Sequence, residues 1–163
     1  LKDDYLKKKR ILFVCSGNTC RSPMAEALAR EISRREYGEA VHVSSAGVFA
    51  LPGAPATSEA VEALLAAGID LQGHRAALLS TALVEEADLV LTMTAVHRRQ
   101  VLQLMPNATH KVHVLADYAG WGGDLEDPIG RPPAVYRECA SRLRTLVTAA
   151  LARFARTGPT GES

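Results

Sequence analysis

Residues 11–14, Ile-Leu-Phe-Val, are apolar without a break. A strand covered on one face alternates apolar with polar residues, so this one predicts a strand covered on both faces, as parallel strands are. Three later segments read as strands: 41–45 (VHVSS), 89–93 (LVLTM) and 111–115 (KVHVL). Helical patterns separate them. Met24, Leu28 and Ile32 recur every four residues, with Pro23 placed as a first helical residue. Val61, Leu64 and Leu65 form a second stripe stopped at Gly68, and Val96, Val101, Leu104 and Met105 form a third before Pro106. From Val135 to Phe154 the last stripe runs through Cys139, Leu143, Leu146, Val147, Ala150 and Leu151. Strands alternating with helices imply right-handed crossovers and an open parallel α/β sheet. In such a sheet ligands bind beyond the carboxyl ends of the strands.

The chain has 163 residues, 47% of them hydrophobic, enough for one core and too few for two comfortable ones. Four of its five lysines precede Arg10. We therefore expect a basic, mobile extension over residues 1–9, one domain over 10–156 and a mobile tail over 157–163. The formal charge of +1, from 19 basic and 18 acidic side chains, points to neither nucleic acid nor a membrane surface as partner. No apolar run approaches the roughly 20 residues of a membrane span, and the basic start lacks the continuation of a signal peptide, so the expected location is the cytoplasm. Three cysteines make no disulfide framework, and their chemistry has to be read singly.

The first strand runs into Cys15-Ser16-Gly17-Asn18-Thr19-Cys20-Arg21-Ser22, just where a ligand is expected. A helix starting near Ser22 would aim unpaired N–H groups and its positive end back into this turn. Gly17 frees the backbone, Asn18 tolerates a left-handed conformation, and Arg21 can grip two phosphate oxygens. The same field favours a thiolate at Cys15, and the Ser22 hydroxyl can donate to its sulfur. Without this context a Cys-x5-Arg spacing carries little weight: a cysteine at a strand end is usually a small hydrophobe. No second pair of ligands accompanies Cys15 and Cys20, which argues against zinc.

VCSGNTCRSPMAEA resembles the signature of the low-molecular-weight protein phosphatases, and the resemblance extends through SSAGV (44–48), GIDLQGHRA (68–76), ADLVLTM (87–93) and DPIG (127–130). It implies a four-stranded parallel sheet with helices on both faces, of flavodoxin-type layering. It also implies a two-step phosphoryl transfer on phosphorylated proteins, by a monomer that needs no metal or cofactor. By that resemblance Cys15 attacks phosphorus, and Ser16, Gly17, Asn18, Thr19, Cys20, Arg21 and Ser22 bind the phosphate. Asp127 acts as acid and then base. Asp-Pro alone is an ordinary turn starter, and only the match promotes Asp127 above its neighbours Asp124 and Glu126. His74 and Ser44 or Ser45 would support the loop, and Cys20 could form a reversible disulfide with Cys15, or be a structural loop residue.

Two branches of the family compete, one acting on phosphotyrosine and a bacterial one on phosphoarginine. The tyrosine branch usually carries an aliphatic residue after the nucleophile, whereas Ser16 is similar to the small hydroxyl of the arginine branch. A hydroxyl accepts a guanidinium N–H that an aliphatic wall would strand. Ile129 departs from both branches, which place an aromatic after Asp-Pro; Trp121 or Tyr118 could supply aromatic surface or merely cover the sheet edge. Cys139 reads as core. His97, Arg98 and Arg99 read as a solvated basic step. Arsenate reductases share the loop but need two further cysteines, and none lies between Cys20 and Cys139. A non-catalytic phosphate-binding module would not need Asp127, and a nucleic-acid binder using the terminal lysines lacks interleaved aromatics.

Overall fold

The computed structural model describes residues 9–38 and 41–157, so the expected extension and tail lie almost wholly outside the described residues. Four parallel strands form one sheet: β1 Arg10–Cys15, β2 His42–Gly47, β3 Leu89–Thr92 and β4 Val112–Val114, in the order β2-β1-β3-β4. Helices α1 Arg21–Tyr37, α2 Ser58–Leu65, α3 Thr81–Glu86, α4 Ala95–Leu104, α5 Leu115–Tyr118 and α6 Pro133–Thr157 surround it. The short α3 and α5 carry too few periodic positions to be visible in the sequence. Thr157, placed in the tail by composition, ends α6 instead.

The unbroken run in β1 is explained by its two cores. Ile11 and Phe13 meet Met24 and Leu28 of α1, Leu64 of α2 and the stripe of α6 on one face. Leu12 and Val14 meet Val84 of α3 and Val101 of α4 on the other. On α6, Leu143, Leu146, Val147, Leu151 and Phe154 are at most 1% exposed, and each contributes on the order of 1.5–3 kcal/mol of burial. No helix among the described residues is long and apolar enough to cross a membrane.

Side-chain caps set three helix starts: the oxygens of Thr57, Ser80 and Thr94 accept from Ala60, Leu83 and His97 N–H. The first helix differs. It begins at Arg21, two residues earlier than Pro23 suggests, with Cys20 at the cap making no side-chain bond and no acid in the first turn. Pro23 is the third helical residue, where its missing N–H still costs nothing. The positive end of α1 thus faces the turn after β1 unshielded.

Gly47, the last residue of β2, backs that turn. A Cβ there would sit 2.5 Å from Ser16 O, 2.8 Å from Asn18 N and 2.9 Å from Gly17 C, all backbone atoms that cannot swing aside. Gly47→Ala should therefore destabilise the fold by about 1–3 kcal/mol and, by displacing the turn, lower turnover by about 10²-fold. Urea unfolding and steady-state rates check this; unchanged rates would show that the turn tolerates the push.

Candidate active site

The turn after β1 is held from several sides. Val48 and Phe49 N–H donate to Cys15 and Ser16 O at 3.0 and 2.9 Å, Thr57 N–H donates to Thr19 O at 2.8 Å, and Met93 N–H donates to Val14 O at 3.0 Å. No backbone N–H from Ser16 to Cys20 donates to a backbone carbonyl among the described residues. Of these residues all but Asn18 line one small concavity, together with Arg21 at the start of α1.

Asn18 fixes the curl. It is fully buried and left-handed, with φ 56°. Its Nδ2 donates to Ser22 Oγ and Ser45 Oγ, each at 2.8 Å, and its Oδ1 accepts from Ala77 N–H at 2.8 Å. His74 Nε2–H donates to its carbonyl at 2.7 Å. Ser45 donates its own O–H to Glu26 Oε1, and exposed Ser44 takes no part. With its oxygen accepting from Asn18, Ser22 is free to direct its O–H at Cys15 Sγ, 2.9 Å away.

Arg21 is 4% exposed and donates through Nη1 to Leu125 O at 2.8 Å, while Nη2 lies 3.5 Å from Asp127 Oδ2. Asp127 is more open, and its Oδ1 accepts from Ile129 N–H at 3.1 Å. The segment carrying it is pinned upstream. Asp124 Oδ1 accepts from Ala95 N–H at the start of α4, and Leu125 N–H donates to Met93 O, both at 2.9 Å. Asp124 therefore anchors the segment instead of facing the cleft, and Glu126 is exposed.

A cleft of about 260 Å³ lies between these parts, lined by Cys15, Ser16, Thr19, Arg21 and Asp127 and also by Phe49, Thr57 and Ile129. The structure thus gathers Cys15 through Ser22, Ser45, His74 and Asp127 in one place. Of the two readings for the aromatics, a supply of cleft surface is ruled out. Tyr118 is buried beneath α6, 5.1 Å from the His113 ring and 5.0 Å below Arg153, and Trp121 is exposed; neither lines the cleft. Phe49 does, on a chain that leaves β2 at the same sheet edge.

The basic step is also corrected. Arg99 is exposed, but Arg98 Nε donates to Val112 O and His97 is buried with Nε2 2.8 Å from Ser16 Oγ. Burial and the Arg21 charge push His97 down from 6.5 to about 4, against the opposing carboxylates of Asp124 and Asp127. All three cysteines are buried free thiols. Burial, reinforced by Cys139, pushes the Cys20 thiol well up, and burial pushes Cys139 up to about 11. Among the described residues no three His, Cys, Asp or Glu side chains gather as metal ligands would.

The His97 shift has a consequence for stability. Between pH 6.5 and about 4 the unfolded histidine binds a proton that the folded one refuses, so stability falls as pH drops through that interval. His97→Leu should flatten this part of the urea-midpoint profile; an unchanged slope would assign the loss to other groups.

Residues 10–159 match the family described as low molecular weight phosphotyrosine protein phosphatase. A protein-arginine-phosphatase of Bacillus subtilis is 46% identical over 138 residues, 84% of this chain and 91% of its own. The low molecular weight protein-tyrosine-phosphatase PtpB of Staphylococcus haemolyticus is 32% identical over 138 residues, 85% of this chain and 94% of its own. Among solved structures, YwlE arginine phosphatase, as a cysteine-to-serine mutant with a phosphorylated active-site serine, superposes with a TM-score of 0.86. It is 41% identical and covers 91% of this chain and 97% of that one.

Proposed function

The chain belongs to the low molecular weight phosphotyrosine protein phosphatase family, and on that footing we propose that it is a cysteine-dependent protein phosphatase acting on phosphoarginine. The observation that carries the choice of substrate is a set of hydroxyl-bearing residues: Ser16, Thr19 and Thr57 all line the cleft that holds Cys15. A phosphorylated guanidinium brings several N–H donors beside the phosphorus, and each needs an acceptor once water is excluded. Phosphotyrosine brings none. Phe49 and Ile129 favour the second reading, a protein-tyrosine phosphatase, because both offer apolar surface to a ring at the mouth of the same cleft. They suit the methylenes of arginine equally well.

In the proposed reaction the Cys15 thiolate attacks phosphorus in line with the leaving nitrogen. Arg21 and the turn's N–H groups hold the equatorial oxygens, where charge spreads in the transition state. As the S–P bond forms and the P–N bond breaks, Asp127 gives its proton to the departing guanidine, and phosphocysteine remains. Asp127, now a carboxylate, takes a proton from water as that water attacks phosphorus, and inorganic phosphate leaves with the thiolate restored. The Ser22 O–H favours sulfur as anion in both halves. Arginine and amides neutralise the phosphate without a metal.

Burial keeps the Cys20 thiol protonated at rest, and we assign it the resolving role: a peroxide oxidises the Cys15 thiolate to the sulfenic acid and is itself reduced, then the Cys20 sulfur attacks the Cys15 sulfur, its proton and the sulfenic hydroxyl leaving as water and a disulfide remaining. Three unpaired cysteines fit a reducing compartment such as the cytoplasm.

Phosphate release from phosphoarginine and phosphotyrosine peptides, under reducing conditions, tests the reading. We expect the higher kcat/KM on phosphoarginine, no turnover with Cys15→Ser, and kcat lower by about 10²–10⁴-fold with Asp127→Asn. Preferential phosphotyrosine turnover would move the chain to the other branch, and release surviving Cys15→Ser would overturn the mechanism.

A further inference from the structure

We propose that His97 is a specificity-positioning residue: its Nε2 accepts the Ser16 O–H, so that the Ser16 oxygen faces the cleft as an acceptor and selects substrates carrying N–H groups beside the phosphorus. The proposal rests on the phosphoarginine reading and adds a residue to it that does not itself touch the substrate.

His97 is the third residue of α4, the helix that follows β3. Because β3 pairs with β1, the first turn of α4 lies across from the turn that follows β1. His97 bridges this crevice, 81 residues from Ser16 in sequence, with the 2.8 Å contact to Ser16 Oγ. Its backbone is fixed too, since its N–H donates to Thr94 Oγ1 at 3.2 Å. His97 is 4% exposed, so little water reaches its Nε2 to compete with Ser16.

The direction of the bond decides what Ser16 offers the substrate. A neutral imidazole has one N–H and one lone pair. If Nε2 carries the proton, Ser16 accepts from His97 and keeps its O–H as a free donor, suited to a phosphate oxygen. If Nδ1 carries it, Ser16 must donate to Nε2, and its oxygen lone pairs alone are left for the cleft. Two unpartnered atoms on the same helix bear on the choice. His97 Nδ1 and Gln100 Oε1 are both buried without a hydrogen-bond partner among the described residues, and they lie three residues apart on α4. Side chains at that spacing share a helix face. The Gln100 oxygen accepts only, and although the two atoms are not bonded to each other as they stand, a turn of the Gln100 side chain pairs them when Nδ1 bears the hydrogen and not otherwise. Burial first, and then the Arg21 charge from the turn, keep the ring neutral against the individually smaller pulls of Asp124 and Asp127.

An acceptor fixed beside Cys15 serves a guanidinium and does nothing for a phenol ester. Two measurements on the full chain test this. Long-range ¹H–¹⁵N spectra of the histidines should show Nδ1 protonated and Nε2 bare at His97; a protonated Nε2 overturns the proposal. Kinetics of Ser16→Ala, His97→Leu and the double variant should then show the ratio of kcat/KM for phosphoarginine to that for phosphotyrosine falling about tenfold in each single variant, about one hydrogen bond to a charged group. The double variant should fall no further, since His97 acts through Ser16. His97→Gln, whose amide oxygen can accept the Ser16 O–H, should recover part of the ratio, and it replaces His97→Leu if the latter does not fold. A ratio unchanged in the single variants while both rates fall, or a further drop in the double variant, would reduce His97 to a packing residue. If the wild type releases nothing from phosphoarginine, the substrate reading fails, while the tautomer measurement still reports on the His97–Ser16 pair.

Discussion

Asn18 sits at the centre of the turn with its backbone left-handed and its side chain out of solvent. Both polar atoms of that side chain and its carbonyl are bonded: to Ser22, Ser45, Ala77 and His74. A buried amide left unpaired costs about 1–3 kcal/mol per group, so these bonds stand or fall together. They commit the turn to one curl, free its N–H groups to face inward, and orient Ser22 toward Cys15. The Gly47 contact closes the rear of the same turn, where no side chain fits. Everything proposed for the site presupposes this constraint.

A second feature is the coupling between the turn and the segment carrying Asp127. Arg21 reaches Leu125 O and Asp127, and Asp124 and Leu125 are tied to the start of α4 and the end of β3. The proposed nucleophile, cation and acid therefore rest on the carboxyl ends of β1 and β3, the two strands between which an open sheet of this order forms its crevice. His97 spans the same crevice from α4.

Much of this was legible in the chain. β1 announced itself as an unbroken apolar run, the other strands as short segments rich in β-branched residues, α6 by its stripe, and the turn by residue types that suit an anion site between a buried strand and a helix start. Two kinds of feature were not. The start of α1 was read from Pro23, yet the curl of the turn, not helix propensity, sets the first helical residue at Arg21. His97 was read as solvated because two arginines follow it, while strand order, which places its helix opposite the turn, is a long-range property that local pattern does not carry. The available signal was positional: a capped helix start directly after a buried strand belongs to the ligand-binding edge. Phe49 was missed for the same reason, lying two residues beyond the end of β2.

The account turns on covalent transfer to one sulfur. The most direct measurement is mass spectrometry of the Asp127→Ala chain, quenched within milliseconds of mixing with p-nitrophenyl phosphate, whose leaving group departs without a proton from Asp127. Loss of the carboxylate slows attack by water, so a phosphoryl group should be found on Cys15 and nowhere else. Phosphate released with Cys15 never labelled, or a label on another residue, would contradict it.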